Sequence, residues 1–298
     1  MLSTVRPRRR TRLTWMAAAI SAILALIGFT PANADTLGGG VYVAMGDSYA
    51  AGPLILPQSD LFTCVRSSIN YPSLLAQRLR AKVFRDASCS NATTKDFTAA
   101  QPGFVSGSAA PQYDALSADT TLVTVQIGGN DIGILGLAFS CLNFAGLGQS
   151  CAAANTAGRT DRFAAKVDDF APAYGTVIEQ IRQRAPHAKI VLVGYPTGIR
   201  HDGCWPFIPM SGQDANYLQS IADRLNARMA EQATMHGASY VDLRTPSIGH
   251  DACQWPGTRW IEGLLPGVVD DGFTPMHPNA TGMTSALPAI LSTLGIPA

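Results

Sequence analysis

The chain has 298 residues, of which 47% are hydrophobic and 14% charged, with 22 Lys and Arg against 21 Asp and Glu. That charge density is well below the roughly 25% usual for soluble proteins and suits a compact chain with polar rather than charged loops. Beyond the first dozen residues no basic cluster argues for nucleic acid or an anionic membrane surface as a partner.

In chain order, the first feature is a basic stretch from Arg6 to Arg12, then an apolar run from Leu13 to Phe29 ending in Ala32-Asn33-Ala34. A basic region, an apolar region and an Ala-x-Ala site together read as a secretory signal over residues 1–34. An uncleaved anchor is the rival, but the run falls just short of a comfortable membrane span. The leader holds five arginines and no acids, so removing it leaves 17 basic residues against 21 acidic ones and a net charge near −4. Residues 35–298 are then long enough for one large domain with a substantial core.

Five apolar, β-rich runs follow: VYVAM (41–45), AKVF (81–84), TLVTVQIG (121–128), KIVLVGYP (189–196) and ASYVDL (238–243). They are near-continuous rather than alternating, as strands buried on both faces are. Helical patterns lie between them. YPSLLAQRLRA puts Leu74, Leu75 and Leu79 on one face. The long pattern 162–186 contains Pro172, which predicts a kink there. The pattern over 214–237 ends on Gly237, a C′ residue, and a last helix is expected from about Asn279 to Leu294. Strands alternating with helices predict an α/β fold with a parallel sheet covered on both faces. Residues 133–160 are apolar and Gly-rich, and read as a loop over a site.

Cys64, Cys89, Cys141, Cys151, Cys204 and Cys253 all follow the leader. An even count behind a signal favours disulfides. Metal binding fails on spacing, because neither Cys-x-x-Cys nor His-x-x-x-His occurs. Sequence alone favours only the short Cys141–Cys151 loop as a local bridge.

The chemistry gathers at strand ends, where ligands of parallel sheets bind. The first strand runs into Gly46-Asp47-Ser48, the third into Gly128-Gly129-Asn130, and His277 precedes the last helix. Each alone has a structural explanation: a turn, a cap, a helix start. A serine nucleophile, an amide with two donors and a histidine base in this arrangement are hard to attribute to chance.

The blocks GDSY, GGND and HPN, in this order, resemble the SGNH hydrolase family, also called GDSL lipases and esterases. Similarity is strongest to the secreted, three-disulfide actinobacterial branch and extends over the whole mature chain, including residues 111–133 and 249–264. The resemblance implies a three-layer α/β/α sandwich whose five-stranded parallel sheet has flavodoxin-like order. It implies Ser48 as nucleophile, His277 as general base, and an oxyanion hole from Ser48, position 91 and Asn130. It also implies the pairing Cys64–Cys89, Cys141–Cys151 and Cys204–Cys253. The α/β-hydrolases, which also run Ser before His, require Gly-x-Ser-x-Gly, and no such pentapeptide occurs.

Two positions depart from the family pattern. Asn91 stands where a glycine is expected, but a main-chain N–H is the donor and Asn tolerates positive φ. Thr274 stands where an aspartate often orients the histidine, so the backbone carbonyl of Thr274 is expected to accept the Nδ1–H hydrogen bond in a Ser–His dyad. Asp270 and Asp271 lack the expected spacing. His187 reads as a solvated loop residue and His201 and His250 as structural, whereas Trp205, Phe207, Trp255 and Trp260 either line an acyl pocket or pack their loops. The expected protein is a secreted or cell-envelope monomer that hydrolyses an ester or lipid without metal or organic cofactor, with a lipid interface left open. The alternatives are a deacetylase of cell-envelope polysaccharide and a catalytically silent lipid-binding protein.

Overall fold

The structure, a computed structural model, describes residues 1–2, 37–264 and 273–297. The expected leader therefore falls outside the described residues but for its first two, as do Asp270 and Asp271.

Five strands form one parallel sheet: β1 (Val41–Gly46), β2 (Val83–Asp86), β3 (Thr120–Gln126), β4 (Lys189–Val193) and β5 (Ser239–Val241). Their spatial order is β2-β1-β3-β4-β5, the flavodoxin-like arrangement. Every residue of β1 is buried, and its side chains alternate between two cores. Val43 and Met45 enter one, together with Val123, Val125 and Leu192; Tyr42 and Ala44 enter the other, with Leu122, Val191 and Val193. That two-sided burial is why the strands read as unbroken apolar runs.

The first core is covered by α6 (Arg162–Phe170), α7 (Pro172–Arg184) and α8 (Gly212–Met235) through Val167, Tyr174, Ile178, Leu218, Ile221 and Leu225; α1 (Ser48–Ala51), α2 (Tyr71–Leu79), α3 (Gly129–Ile132), α4 (Ile134–Ser140) and α5 (Cys151–Thr156) precede them in the chain. The second is covered by α2, α9 (Ala280–Ser285) and α10 (Leu287–Leu294) through Leu75, Leu79, Met283, Ile290, Leu291 and Leu294. The long pattern over 162–186 divides at Ala171, immediately before Pro172. The last helix, expected as one piece, also divides: Ala286 separates α9 from α10, and Pro288 occupies the first turn of α10, where its missing N–H is tolerated. α8 ends at Met235, and Gly237 follows with φ of 64°, the left-handed exit expected of it.

Three disulfides join Cys64 to Cys89, Cys141 to Cys151 and Cys204 to Cys253. Among the described residues no helix is long and apolar enough to cross a membrane. The order of strand connection reverses between the parallel neighbours β1 and β3, so their carboxyl ends open a crevice between them, and Ser48 and Asn130 follow those two ends.

Candidate active site

β1 ends at Gly46, whose φ of 150° few other residues could adopt. A Cβ there would stand 2.4 Å from the Gln126 carbonyl oxygen of β3. The same peptide is clamped by Gln112, which accepts from the Gly46 N–H at 2.8 Å and donates to its carbonyl at 2.9 Å. Asp47 then caps α1 by accepting from the Tyr49 N–H at 2.9 Å. Ser48 therefore occupies the first helical position, where an N–H lies ahead of any intrahelical bond. Ser48 is buried, not partly exposed as a loop serine would be.

The loop after β3 is held equally closely. Gly128 has φ of 119°, and a Cβ on it would meet the Tyr174 hydroxyl at 2.3 Å. Gly129 donates its N–H to the Tyr195 hydroxyl at 2.9 Å, and that hydroxyl donates to Asp47 Oδ2 at 2.5 Å. Tyr195 thus ties the Ser48 turn to the Asn130 turn. Asp131 reaches the segment carrying Asn91, accepting from the Thr94 N–H at 3.0 Å and the Thr94 hydroxyl at 2.6 Å. Asn91 has φ of 66°, a left-handed position that Asn accepts in place of the family's glycine. The Asn130 amide donates to the Ala92 carbonyl at 2.9 Å, so one of its two N–H groups fixes it to that segment.

His277 Nε2 lies 2.8 Å from Ser48 Oγ. Its Nδ1 lies 2.9 Å from a main-chain carbonyl, as expected in kind, but the carbonyl belongs to Pro275. The carbonyl of Thr274 accepts the backbone N–H of His277 at 3.1 Å instead. Met276 explains the difference: with φ of 60° it folds the chain so that the carbonyl two residues back faces the ring. Tyr49 secures this turn by donating its hydroxyl to the Met276 carbonyl, and its ring packs 5.0 Å from the imidazole. On the other side, Glu262 accepts the Met276 N–H at 2.9 Å and donates its own N–H to the His277 carbonyl at 2.8 Å.

Burial lowers the pKa of His277 below its usual 6.5, with the Pro275 carbonyl pulling it partly back. Burial also pushes Asp47 up to about 7, against the stabilising bonds from Tyr195 and Tyr49. A neutral imidazole is the form that can take a hydroxyl proton. A lowered pKa keeps that form present to lower pH. The acid limb of kcat/KM on a soluble short-chain ester, followed by pH-stat, should therefore have its midpoint below 6.5. A midpoint near 7 that disappears in Asp47→Asn would assign the limb to Asp47. One that persists there would contradict the lowered histidine.

Ser48, Asn91, Asn130 and His277 line one cleft, partly open to solvent. Much of its remaining lining is apolar, with Ile134, Leu135 and Ala138 of α4 and with Ile199, Leu218 and Leu225. The four aromatic residues considered for an acyl pocket are elsewhere. Trp260 stacks on His250 at 4.2 Å, and Phe207 meets Trp255 at 5.9 Å, outside this cleft. His250 Nδ1 lies 2.6 Å from the Thr258 carbonyl, His201 pairs with Asp202 and His187 is exposed, so all three have structural or solvated roles. Asp131, Tyr195 and Tyr49 went unforeseen because their roles depend on contacts across the fold; the acid within GGND was the one local sign.

The profile of the GDSL-like Lipase/Acylhydrolase family matches residues 44–284. The chain is similar to Lipase 2 of Streptomyces coelicolor, with 38% identity over 270 residues and 86% of each chain covered. Among solved structures it is similar to phospholipase A1 from Streptomyces albidoflavus NA297 (TM-score 0.68, 28% identity, 86% of this chain and 99% of that one). The extracellular lipase from Streptomyces rimosus is alike to the same degree, with a TM-score of 0.68, 28% identity and coverage of 85% and 99%. Catalytic-type geometry, parallel-sheet order and these matches agree: the chain belongs to the GDSL-like lipase/acylhydrolase family and is a lipase/esterase hydrolase.

Proposed function

We propose that the protein is secreted and cleaves acyl esters through a covalent intermediate on Ser48, with His277 as its base. The contact that carries the reading is Ser48 Oγ to His277 Nε2 at 2.8 Å, at the mouth of an apolar cleft. His277 Nε2 takes the Ser48 proton as Oγ attacks the ester carbonyl, forming the C–O bond. The carbonyl oxygen becomes an oxyanion facing the Ser48 N–H, the position-91 N–H and the free N–H of the Asn130 amide. Each such donor contributes about 10²–10³ in rate. As the tetrahedral adduct collapses, imidazolium returns the proton to the departing alkoxide and the alcohol leaves. Water, deprotonated by the same nitrogen, then attacks the acyl-enzyme; its collapse releases the carboxylic acid and restores the serine. Secretion is supported by the leader pattern and by similarity to an extracellular lipase.

The apolar wall supports an acyl chain rather than an acetylated sugar as the group held beside Ser48. Each buried methylene is worth about 0.8 kcal/mol at most. On nitrophenyl esters, kcat/KM should therefore climb from acetyl to octanoyl, by up to about fourfold per methylene early in the series. Faster turnover of acetylated xylan than of the octanoyl ester would transfer the assignment to the deacetylase alternative.

A further inference from the structure

Outside the cleft the surface carries an unusual apolar cluster. Phe139, Phe144, Leu147, Trp205, Phe207 and Trp255 are all at least half exposed, with Phe144 at 77%, Leu147 at 78% and Trp255 at 74%. All but Phe139, which is on α4, sit on three loops that meet. The Asn143 N–H donates to the Pro209 carbonyl at 2.6 Å, a side chain at Gly146 would touch the Trp205 ring edge at 4.0 Å, and Phe207 packs edge-on to Trp255. Two of the disulfides hold these loops, Cys141–Cys151 within the first and Cys204–Cys253 between the other two. Large exposed rings on anchored loops are costly to keep in water unless something covers them.

Charge narrows what that can be. Residues 132–158, 203–213 and 252–258 contain no Asp, Glu, Lys or Arg. At the border, the Arg200 guanidinium donates to the Gly203 carbonyl at 2.9 Å, and the buried Arg259 is ion-paired with Glu262. An uncharged face ending in two indoles and three phenyl rings fits an interface between acyl chains and neutral headgroups, where Trp settles. Exposed Arg200 beside Phe207 and Trp255 and exposed Asp202 beside Trp205 put one charge of each sign at its border, so it presents no net positive charge to an anionic surface. The face also continues the wall of the cleft: Leu135 and Ala138 of α4 line the cleft, and Phe139 is the next residue outward.

We infer that the loops carrying Phe144, Trp205 and Trp255 form a docking surface for uncharged lipid, which delivers acyl chains to the cleft beyond α4. The inference rests on the ester-hydrolase reading of that cleft, and its test separates the two. Partition of the protein onto phosphatidylcholine vesicles is measured by flotation, for the native protein and for Phe144→Ser/Trp205→Ser/Trp255→Ser. The triple variant should bind about tenfold or more weakly and hydrolyse emulsified lipid correspondingly slowly, with an unchanged rate on a soluble short-chain ester. That unchanged rate also reports an intact fold. Native binding should be insensitive to ionic strength. Independently of any variant, brominated phosphatidylcholine should quench the native indole fluorescence.

Equal partition of the two proteins, or no quenching, overturns the docking surface while leaving the cleft intact. Loss of partition on raising salt also overturns it, since that assigns the contact to charge. A native dimer in sedimentation velocity that dissociates in the triple variant overturns it in favour of a second copy. If neither protein hydrolyses the soluble ester, the reading of the cleft fails instead, whatever the vesicles show.

Discussion

Ser48→Ala is expected to abolish ester hydrolysis, leaving below about one part in 10³ of the native kcat. The expectation follows from geometry: Ser48 Oγ is the hydroxyl 2.8 Å from the imidazole nitrogen that would deprotonate it. The fold should barely respond. Ser48 sits in the first turn of α1, where alanine is a good helix former, and the cap on that helix comes from Asp47 rather than Ser48. Because the serine is buried, its loss leaves His277 Nε2 short of a partner, which costs about 1 kcal/mol and a few degrees of Tm in a chain of this size. Activity is read on a soluble nitrophenyl ester, and a serine-directed organophosphate should label the native protein and not the variant. A folded variant that keeps a few per cent of native turnover would remove Ser48 from the nucleophile role.

What could be read from the chain, and what could not, divides by the range of the interactions involved. Strand cores were legible because β1, β3 and β4 are buried on both faces and so carry few charged residues and long apolar stretches. The second strand was placed two residues early, since Ala81 bonds back to the Ala76 carbonyl and belongs to the exit of α2. Proline punctuation was legible at Pro172 and overlooked at Pro288, where the break falls inside an otherwise continuous helical pattern. Ser48, Asn130 and His277 announce themselves because each stands in a short local motif, GDSY, GGND or HPN. Gln112, Tyr195 and Asp131 do not: they act through partners between 37 and 148 residues away, and in isolation each reads as an ordinary polar residue. The carbonyl facing His277 was misplaced by one residue because nothing about a methionine announces a φ of 60°.

His277→Ala should lose nearly all activity, while no single acid should matter comparably. In a Ser-His-Asp triad, neutralising the aspartate costs about 10⁴ in turnover, because it orients the ring and stabilises the imidazolium. Here His277 Nδ1 donates to the Pro275 carbonyl at 2.9 Å, which fixes the tautomer with a dipole rather than a charge. The nearby described acids are engaged elsewhere. Asp251 accepts from the Cys253 N–H at 2.9 Å and from Gln254 at 3.1 Å, and the Glu262 carboxylate accepts from Asn279 at 2.8 Å and from Arg259. Asp251→Asn, Asp270→Asn and Asp271→Asn should each stay within about tenfold of native kcat, a barrier change of roughly 1.4 kcal/mol. Thr274→Val should be milder on activity still, since it removes only a hydroxyl bonded to the Pro53 carbonyl at 3.0 Å. If a carbonyl orients the base, whatever shapes that carbonyl's turn must carry the role an aspartate has in a triad. Tyr49 does so through its bond to the Met276 carbonyl. Tyr49→Phe should therefore lower kcat more than any of the three aspartate replacements, by about tenfold or somewhat over, with KM nearly unchanged. A loss of three orders of magnitude in one Asn variant would instead reveal a carboxylate on Nδ1. The Pro275 carbonyl would then be only a neighbour, and Tyr49→Phe should leave kcat within experimental error.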